Sequence, residues 1–369
     1  MKEKISMEIY FPGNGLIQLH RRSGLSKVMN RLNRYLEYLD KIFLISFGGA
    51  DEYKLLKNNK IQIFDNKAGI NKYIYFLIFP FIHRNAILSA SFLECRQVSS
   101  GIIGLYLKLL YRKKVIVRCG YDWVEFADKE RRTFEKILSR IISNLVYKFA
   151  DGLYVTSERH FERILKVRKS RHNLVLVPNA VDINEFSPRE NEDEGLIVSV
   201  GRLEKQKNFM NLILALKDFP HKYKLLIFGN GKLNESLLKS AEGNKVNLKL
   251  MGNVSSKELI TYLNKSMVFV LPSYWEGNSN ALIEAVSCGC AVIASDIEAN
   301  REIIKDNQNG LLCSVTASGI RERLLQLFEQ KDLRERIRTN ARKSAEGRFN
   351  LENQTRNILN LYRKVLDRK

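Results

Sequence analysis

Short apolar runs alternate with longer amphipathic stretches along most of this chain. In the first half, runs rich in β-branched and aromatic residues predict five strands, at residues 5–11, 42–47, 86–90, 115–118 and 153–156. Stretches with apolar residues three or four positions apart predict helices at residues 24–38, 130–149 and 158–166. Strands that alternate with helices are typical of parallel sheets covered by helices on both faces.

A break near the middle divides this alternation. Turn-forming residues 178–182 (PNAVD) precede a polar and acidic stretch at 187–195, which predicts an interdomain linker. Beyond it the alternation resumes, with strands predicted at residues 196–200, 224–228, 248–251, 268–271 and 291–294 and helices at 207–217, from 233, at 256–264, at 280–288 and throughout 318–369.

This pattern predicts an α/β protein of two doubly wound, Rossmann-like domains that face each other across a cleft. We expect one domain at residues 1–185, a second at 186–350 and a last helix, 351–369, that crosses back to the first domain. In such sheets ligands bind at the carboxyl ends of the strands, so the chemistry is expected there.

Composition is ordinary for a folded protein, but the charge is not. The 369 residues are 45% apolar and 27% charged, and the net charge is +21, of which residues 1–190 carry +14. Two interpretations stay open: an anionic partner such as phosphates or anionic lipid, or a lysine-rich solvated surface. A nucleic-acid-binding protein would also explain the charge, but its basic runs should be interleaved with aromatic residues, and here they are scattered.

The cysteines and the apolar runs indicate in which cellular compartment the protein works. Five cysteines without paired CxxC motifs fit a reducing compartment and exclude a disulfide framework or a cysteine-based zinc site. The first residues lack the apolar core of a signal peptide, so we expect a cytoplasmic protein. The most apolar run, residues 73–82, is too short to span a bilayer. It is interpreted as a buried core segment, with an edge that enters a membrane interface as the alternative.

Two motifs follow predicted strands in the second half and suit phosphate binding. After the strand ending at Val200, Arg202 and Lys207 offer one bidentate and one point-like cation, a combination that suits a diphosphate. After the next strand, Gly229 and Gly231 allow a tight turn beside a ligand. Each motif alone also fits an ordinary loop, and no Walker sequence is present.

The strongest motif is residues 272–285, PSYWEGNSNALIEA. An apolar strand leads into it, Ser279 or Asn280 can cap the following helix, and Gly277 leaves room for close approach. The amino terminus of that helix offers unpaired N–H groups to an anion. Glu276 and Glu284 place two carboxylates where they can accept hydrogen bonds from sugar and ribose hydroxyls.

The second half resembles the nucleotide-sugar-binding domain of family 4 glycosyltransferases, which are retaining enzymes with the GT-B fold. The family's E-x7-E pattern matches Glu276 and Glu284, and its G-R-L-x-x-x-K element matches residues 201–207. Its P-N-G-V-D element is similar to residues 178–182, and residues 287–295 resemble the turn after the second glutamate. The resemblance is good over residues 150–350 and loose before them. It implies that the domain at 186–350 binds the nucleotide sugar and that the domain at 1–185 binds the acceptor.

The resemblance implies roles for individual residues. Arg202 and Lys207 would bind the donor diphosphate, Glu276 the hydroxyls of the transferred sugar, and Glu284 the ribose. The residues implied to line the sugar and phosphate with backbone groups are Gly277, Asn278, Ser279, Asn280, Ala281 and Leu282. Those expected around the base are Gly252, Asn253 and Val254.

The first half departs from the family at two positions. The glycine-rich turn after the first strand is Pro12-Gly13-Asn14-Gly15, and Gly24 is the candidate for close approach to phosphate. Where family members often carry a His-Asp pair, this chain has Asp122 without the histidine. Asp122 is a candidate catalytic residue, with a structural loop carboxylate as the alternative.

The sequence therefore predicts a hexosyltransferase that moves a sugar from a nucleoside-diphosphate donor to a hydroxyl of a glycan or lipid-linked acceptor, with retention implied by the resemblance. With no D-x-D sequence and no metal-ligand spacing among the histidines, we expect neither a metal nor a cofactor. The excess charge favours a peripheral contact with the inner face of an anionic membrane. A sugar-nucleotide epimerase or a phosphorylase on the same fold is the alternative.

Overall fold

The computed structural model describes residues 5–9, 25–45, 58–66, 69–129, 133–189 and 193–367. The chain divides into two compact units: residues 1–177 with 355–369, and residues 178–354. The division lies at the turn-forming residues of the predicted linker, and the last helix belongs to the first unit from Thr355 onwards.

The first unit contains a seven-stranded parallel sheet with the order β3-β2-β1-β4-β5-β6-β7. Its strands are β1 Ile5–Ile9, β2 Lys41–Ile45, β3 Ile61–Phe64, β4 Phe92–Cys95, β5 Lys114–Cys119, β6 Gly152–Val155 and β7 Leu174–Leu176. The helices between them are α1 Leu25–Tyr35, α2 Lys72–Ile82, α3 Arg84–Ser89, α4 Val98–Tyr111, α5 Trp123–Lys129, α6 Thr133–Phe149 and α7 Glu158–Arg168. The central strands are almost wholly buried because helices cover both faces.

The second unit contains a six-stranded parallel sheet with the order β10-β9-β8-β11-β12-β13. Its strands are β8 Asp193–Val200, β9 Lys224–Phe228, β10 Leu248–Gly252, β11 Ser266–Leu271, β12 Val292–Ser295 and β13 Leu311–Cys313. Its helices are α8 Phe209–Ala215, α9 Asn234–Gly243, α10 Ser256–Lys265, α11 Asn280–Ser287, α12 Glu298–Arg301, α13 Ala317–Glu329 and α14 Lys331–Arg348. The last helix, α15, is Leu351–Leu366.

Three sequence expectations about local structure are wrong. Residues 86–90 lie at the end of α3 and in its cap. The strand of that region is β4, whose four residues are all buried. A short apolar run does not by itself distinguish a strand from a helix. The helix predicted to begin at Lys207 begins at Phe209, because Asn208 takes a left-handed conformation. The tail is three helices interrupted at Gln330 and Phe349.

The apolar run at residues 73–82 forms α2, which is buried on one face only. Tyr75 and Phe79 belong to the core, whereas Ile74, Leu77 and Phe81 are more than half exposed. The expectation of a buried core segment therefore holds for half of this helix. In the part of the chain that the structure describes, no helix combines the length and apolarity needed to cross a membrane.

A buried carboxylate attaches α15 to the sheet of the first unit. Glu94 has no exposed surface, and it accepts hydrogen bonds from Tyr362 (2.6 Å), Tyr154 and Arg96. Burial alone would raise the pKa of Glu94, but Arg96, Arg31 and the two hydroxyl groups outweigh it and hold the pKa below its usual range. The carboxylate is therefore ionised, and three side chains donate hydrogen bonds to it.

Removing the Tyr362 hydroxyl should weaken this attachment. We expect Tyr362→Phe to lower the free energy of unfolding by about 1–3 kcal/mol, because a buried ionised acceptor loses a donor. Denaturant titration at neutral pH measures the change. Tyr38→Phe removes a hydroxyl from a half-exposed ring and serves as the control. Equal stability of the two variants would contradict a structural role for the hydrogen bond.

Candidate active site

The carboxyl ends of β10, β9, β8 and β11 are adjacent in the second sheet. Backbone hydrogen bonds join the segments that follow the first three of them. The amide of Gly201 donates to Phe228 (2.9 Å), that of Leu203 to Asn230 (3.0 Å), and that of Gly229 to Gly252 (2.7 Å). These segments form a continuous backbone surface at the edge where ligands of such sheets bind.

Two glycines make that close approach possible. Gly229 has a φ of +131°, and a Cβ atom built on it would lie 2.0 Å from the carbonyl oxygen of Gly201. A Cβ atom on Gly231 would lie 2.4 Å from the carbonyl oxygen of Leu203. Gly229 and Gly231, a weak signal in sequence, are thus required by the contact between two loops.

A short 3-10 turn at Lys205–Lys207 holds the loop that follows β11. The side-chain amide of Gln206 donates to the carbonyl of Trp275 (2.8 Å), and the amide of Tyr274 donates to the carbonyl of Gln206 (2.9 Å). Asn208 donates to the carbonyls of Pro272 (2.9 Å) and Val315 (2.8 Å). Sequence reasoning missed Gln206 and Asn208; an asparagine directly before a helix, where a left-handed residue is tolerated, was the available signal.

The turn brings the two principal charged candidates together. The Lys207 ammonium lies 2.5 Å from Oε1 of Glu276, and the two side chains are only 12% and 8% exposed. The pair joins the motif after β8 to the motif after β11, two adjacent strands. A desolvated ion pair of this kind is a stronger electrostatic element than an exposed one.

Arg202 lies at the same edge but faces solvent. Its side chain is 58% exposed, and it contacts Glu204 (3.0 Å) and Gln206 (3.1 Å). Because an exposed ion pair contributes little to stability, both contacts can be exchanged for an anionic ligand at small cost.

The amino terminus of α11 has the expected cap. The Ser279 hydroxyl accepts from the amide of Leu282, and the exposed Gly277 and Asn280 flank it. Asn278 differs from the expectation of a purely backbone role. Its side-chain oxygen accepts from the amide of Asn179 (2.8 Å), while Asn179 donates to the carbonyl of Asn278 (2.9 Å). The predicted linker is therefore bonded directly to the helix start.

The remaining donor-site candidates lie on the same elements. Glu284 is on α11 and is only 4% exposed, and the Leu282 side chain is wholly inside the core, while its amide is bonded to the Ser279 cap. Ala281 directly precedes Leu282 in the chain and is partly buried against the core. Gly252 ends β10 with a positive φ, and the exposed Asn253 and partly buried Val254 follow it.

Asp122, in the first unit, is engaged in structural contacts. Its Oδ1 accepts from the amides of Val124 and Glu125 at the start of α5, both at 3.1 Å, and its Oδ2 lies 2.6 Å from Arg163. Nearby, His160 bonds to Tyr147 (2.7 Å), and burial lowers its pKa to about 4 although Asp122 opposes the shift. These contacts account for Asp122 as a helix cap, and its catalytic role stays a prediction.

Two further expectations concern a turn and a metal. Gly24 and the turn at residues 12–15 lie outside the described residues. Within the described ranges, no group of three or more His, Cys, Asp or Glu side chains could hold a metal ion. Metal-independent chemistry stays a prediction.

A methyl group at Gly229 should disrupt the carboxyl edge of the second sheet. We expect Gly229→Ala to destabilise the second unit by about 2 kcal/mol or more and to abolish donor binding, since both φ and the contact with Gly201 oppose a side chain. Gly243→Ala is the control, because it lies in α9 with nothing within 4 Å of the new atom. Thermal unfolding with and without nucleotide sugars measures both effects, and an unchanged Gly229→Ala protein would contradict the geometry.

Known proteins with similar sequences include several glycosyltransferases. Residues 181–344 match the family model described as glycosyl transferases group 1. A Campylobacter jejuni N-acetylgalactosamine-N,N'-diacetylbacillosaminyl-diphospho-undecaprenol 4-alpha-N-acetylgalactosaminyltransferase is 26% identical over 94% of this chain and 95% of its own. An Escherichia coli UDP-Gal:alpha-D-GlcNAc-diphosphoundecaprenol alpha-1,3-galactosyltransferase is 29% identical over 51% and 53%.

Solved structures share the fold across the whole chain. Sucrose-phosphate synthase from Thermosynechococcus elongatus has a TM-score of 0.81 at 18% identity and covers 99% of both chains. Anabaena HepE in complex with UDP and glucose has a TM-score of 0.76 at 14% identity, over 97% of this chain and 99% of that one. Residues 181–344 therefore form a domain of the glycosyl transferases group 1 family, and the chain is a glycosyltransferase with the GT-B fold.

Proposed function

We propose that the protein transfers a hexosyl group from a nucleoside-diphosphate sugar to a hydroxyl of a lipid-linked glycan, with retention and without a metal. The observation that carries the proposal is the desolvated pair of Lys207 and Glu276, held at the carboxyl edge of the second sheet beside the start of α11. One cation and one carboxylate side by side suit a ligand that carries both a diphosphate and hydroxyl groups.

In the proposed donor site, cations and N–H groups would bind the diphosphate, and carboxylates would bind hydroxyl groups. Arg202, Lys207 and the N–H groups at the start of α11 would hold the diphosphate. Glu276 would accept hydrogen bonds from the sugar hydroxyls, and Glu284 from the ribose. An ammonium group has three donors, so Lys207 can keep its contact with Glu276 while it binds a phosphate oxygen.

The transfer step needs few protein groups. The bond between the anomeric carbon and the diphosphate oxygen breaks, and the acceptor hydroxyl oxygen bonds to that carbon on the same face. The acceptor proton passes to the departing diphosphate oxygen, so no protein base is required. Arg202 and Lys207 stabilise the charge that develops on the diphosphate.

The proposed acceptor rests on the relatives and on charge. The Campylobacter jejuni and Escherichia coli relatives are both named for acceptors that carry a diphosphate-linked undecaprenol. Residues 1–190 carry most of the excess positive charge. A cytoplasmic enzyme that works peripherally at the inner membrane face would meet such an acceptor.

Substitutions of the ion pair test the donor site. We expect Glu276→Gln and Lys207→Met each to lower the rate of sugar transfer about 100-fold or more, because each removes a group aimed at the donor. Lys205→Met is the matched control, an exposed lysine in the same turn. Nucleotide release in a screen of nucleoside-diphosphate sugars, with a lipid-diphosphate glycan added, measures the rate.

Stability must be measured beside activity. A single substitution leaves one buried charge without its partner, so each single variant should unfold at a lower temperature. The double variant Lys207→Met with Glu276→Gln removes both charges and should recover stability without recovering transfer. Full transfer by a stable Glu276→Gln protein would refute the proposed role. Conversion of the sugar nucleotide that does not depend on an acceptor would favour an epimerase instead, and phosphate-dependent cleavage of a glycan without nucleotide release would favour a phosphorylase.

A further inference from the structure

The outer face of three helices in the first unit is unusually apolar. Eighteen large apolar side chains are exposed among the described residues, and twelve of them lie on α2, α4 and α6: four, two and six, respectively. The side chains of Leu109 and Phe134 are 83% and 81% exposed. A soluble protein rarely leaves so many such residues together in water without a partner for them.

These helices are neighbours in one layer. The Tyr106 hydroxyl of α4 bonds to the carbonyl of Leu77 on α2 (3.4 Å), and Tyr111 bonds to that of Pro80 (2.9 Å). On its other side α4 packs closely on α6, so a Cβ atom on Gly101 would lie 2.8 Å from Val146. The inner faces of all three contribute to one core, and their outer faces therefore form one surface.

Helix α6 buries two serines beside Val146 and Tyr147 and carries large apolar residues on its exposed face. Ser139 and Ser143 point into the unit and are at most 1% exposed. Phe134, Ile137 and Ile141 follow one another at intervals of three and four and point outwards, all more than half exposed. The helix thus carries an apolar stripe on its outer side as well as on its inner side, which is expected where the outer side meets a second apolar medium.

The charges at this surface are mostly positive. Arg84, Arg112, Arg140 and Lys148 are all exposed on or beside these helices. Residues 72–111 contain a single carboxylate, Glu94, and it is wholly buried. A symmetric contact between two copies would bring the same cations face to face, whereas an anionic lipid surface complements them.

We propose that the outer face of α2, α4 and α6 binds the surface of an anionic lipid bilayer. Leu77, Phe81, Leu109, Phe134, Ile137 and Ile141 enter the boundary between head groups and acyl chains, and Arg84, Arg140 and Lys148 contact lipid phosphates. This goes beyond the proposed transfer reaction, because it assigns a second binding surface in the first unit.

Vesicle flotation with the full chain tests the surface. Vesicles of phosphatidylcholine with about a third phosphatidylglycerol should carry the protein upwards, and vesicles of phosphatidylcholine alone should carry much less. Leu109→Gln with Phe134→Gln should lower the bound fraction about tenfold or more, because two large apolar side chains lose their transfer out of water. Leu214→Gln with Leu238→Gln, exposed leucines of the second unit, should bind as the unsubstituted chain does.

Charge is tested in the same assay. Arg140→Gln with Lys148→Gln should lower binding to anionic vesicles several-fold, whereas Lys239→Gln with Lys257→Gln in the second unit should not. Absence of binding to anionic vesicles would overturn the proposal. So would an equal loss of binding in a pair of first-unit variants and in its second-unit control. The proposal would also be overturned if the protein sedimented as a dimer that Leu109→Gln with Phe134→Gln dissociates, because a second copy would then cover this surface. Nucleotide release with a water-soluble acceptor should be unchanged in these variants, which separates this surface from the donor site.

Discussion

The second unit depends on a contact between backbones that no side chain could replace. Three segments at the carboxyl edge of its sheet meet through their peptide groups, and Gly229 lies directly against Gly201. Because the loops approach so closely, the side chains that follow them are fixed relative to one another. Lys207 reaches Glu276 from a turn whose own backbone holds the next loop. Positional accuracy at this edge therefore comes from the rigid elements beneath it.

The pair formed by Lys207 and Glu276 is better understood as a binding element than as a stabilising one. Buried ion pairs gain little net stability, because desolvation offsets most of the attraction. The contact between carboxylate and ammonium nevertheless orients both groups before a ligand arrives. Arg202, by contrast, is exposed and weakly held. One cation is thus preorganised and the other can adapt, a division that suits a ligand which must enter and leave.

The second unit could be predicted more fully from sequence than the first. Five of its six strands and the cap at Ser279 followed from apolar runs and turn residues, whereas the short strand β13 was not predicted. The motifs with Arg202, Lys207, Glu276 and Glu284 gave the family resemblance. The link between Asn278 and Asn179 could not be foreseen, because it joins residues 99 positions apart. Nor could the outward stripe of α6, since a helix that is apolar on several faces does not reveal which face the core takes. The error at residues 86–90 has the same origin, because tertiary packing decided the conformation of a short apolar run.

The attachment of α15 has a consequence for how the protein is made. Tyr362, together with Leu359 and Val365, fills one face of a sheet whose strands come from the first half of the chain. On the ribosome, β1 to β7 are synthesised long before that helix exists, and until then Glu94 lacks one of its partners. The unit that starts first is thus finished last, after the whole second unit has left the ribosome and can fold. Removal of the end of α15 would therefore destabilise the core that is built from the amino-terminal half of the chain.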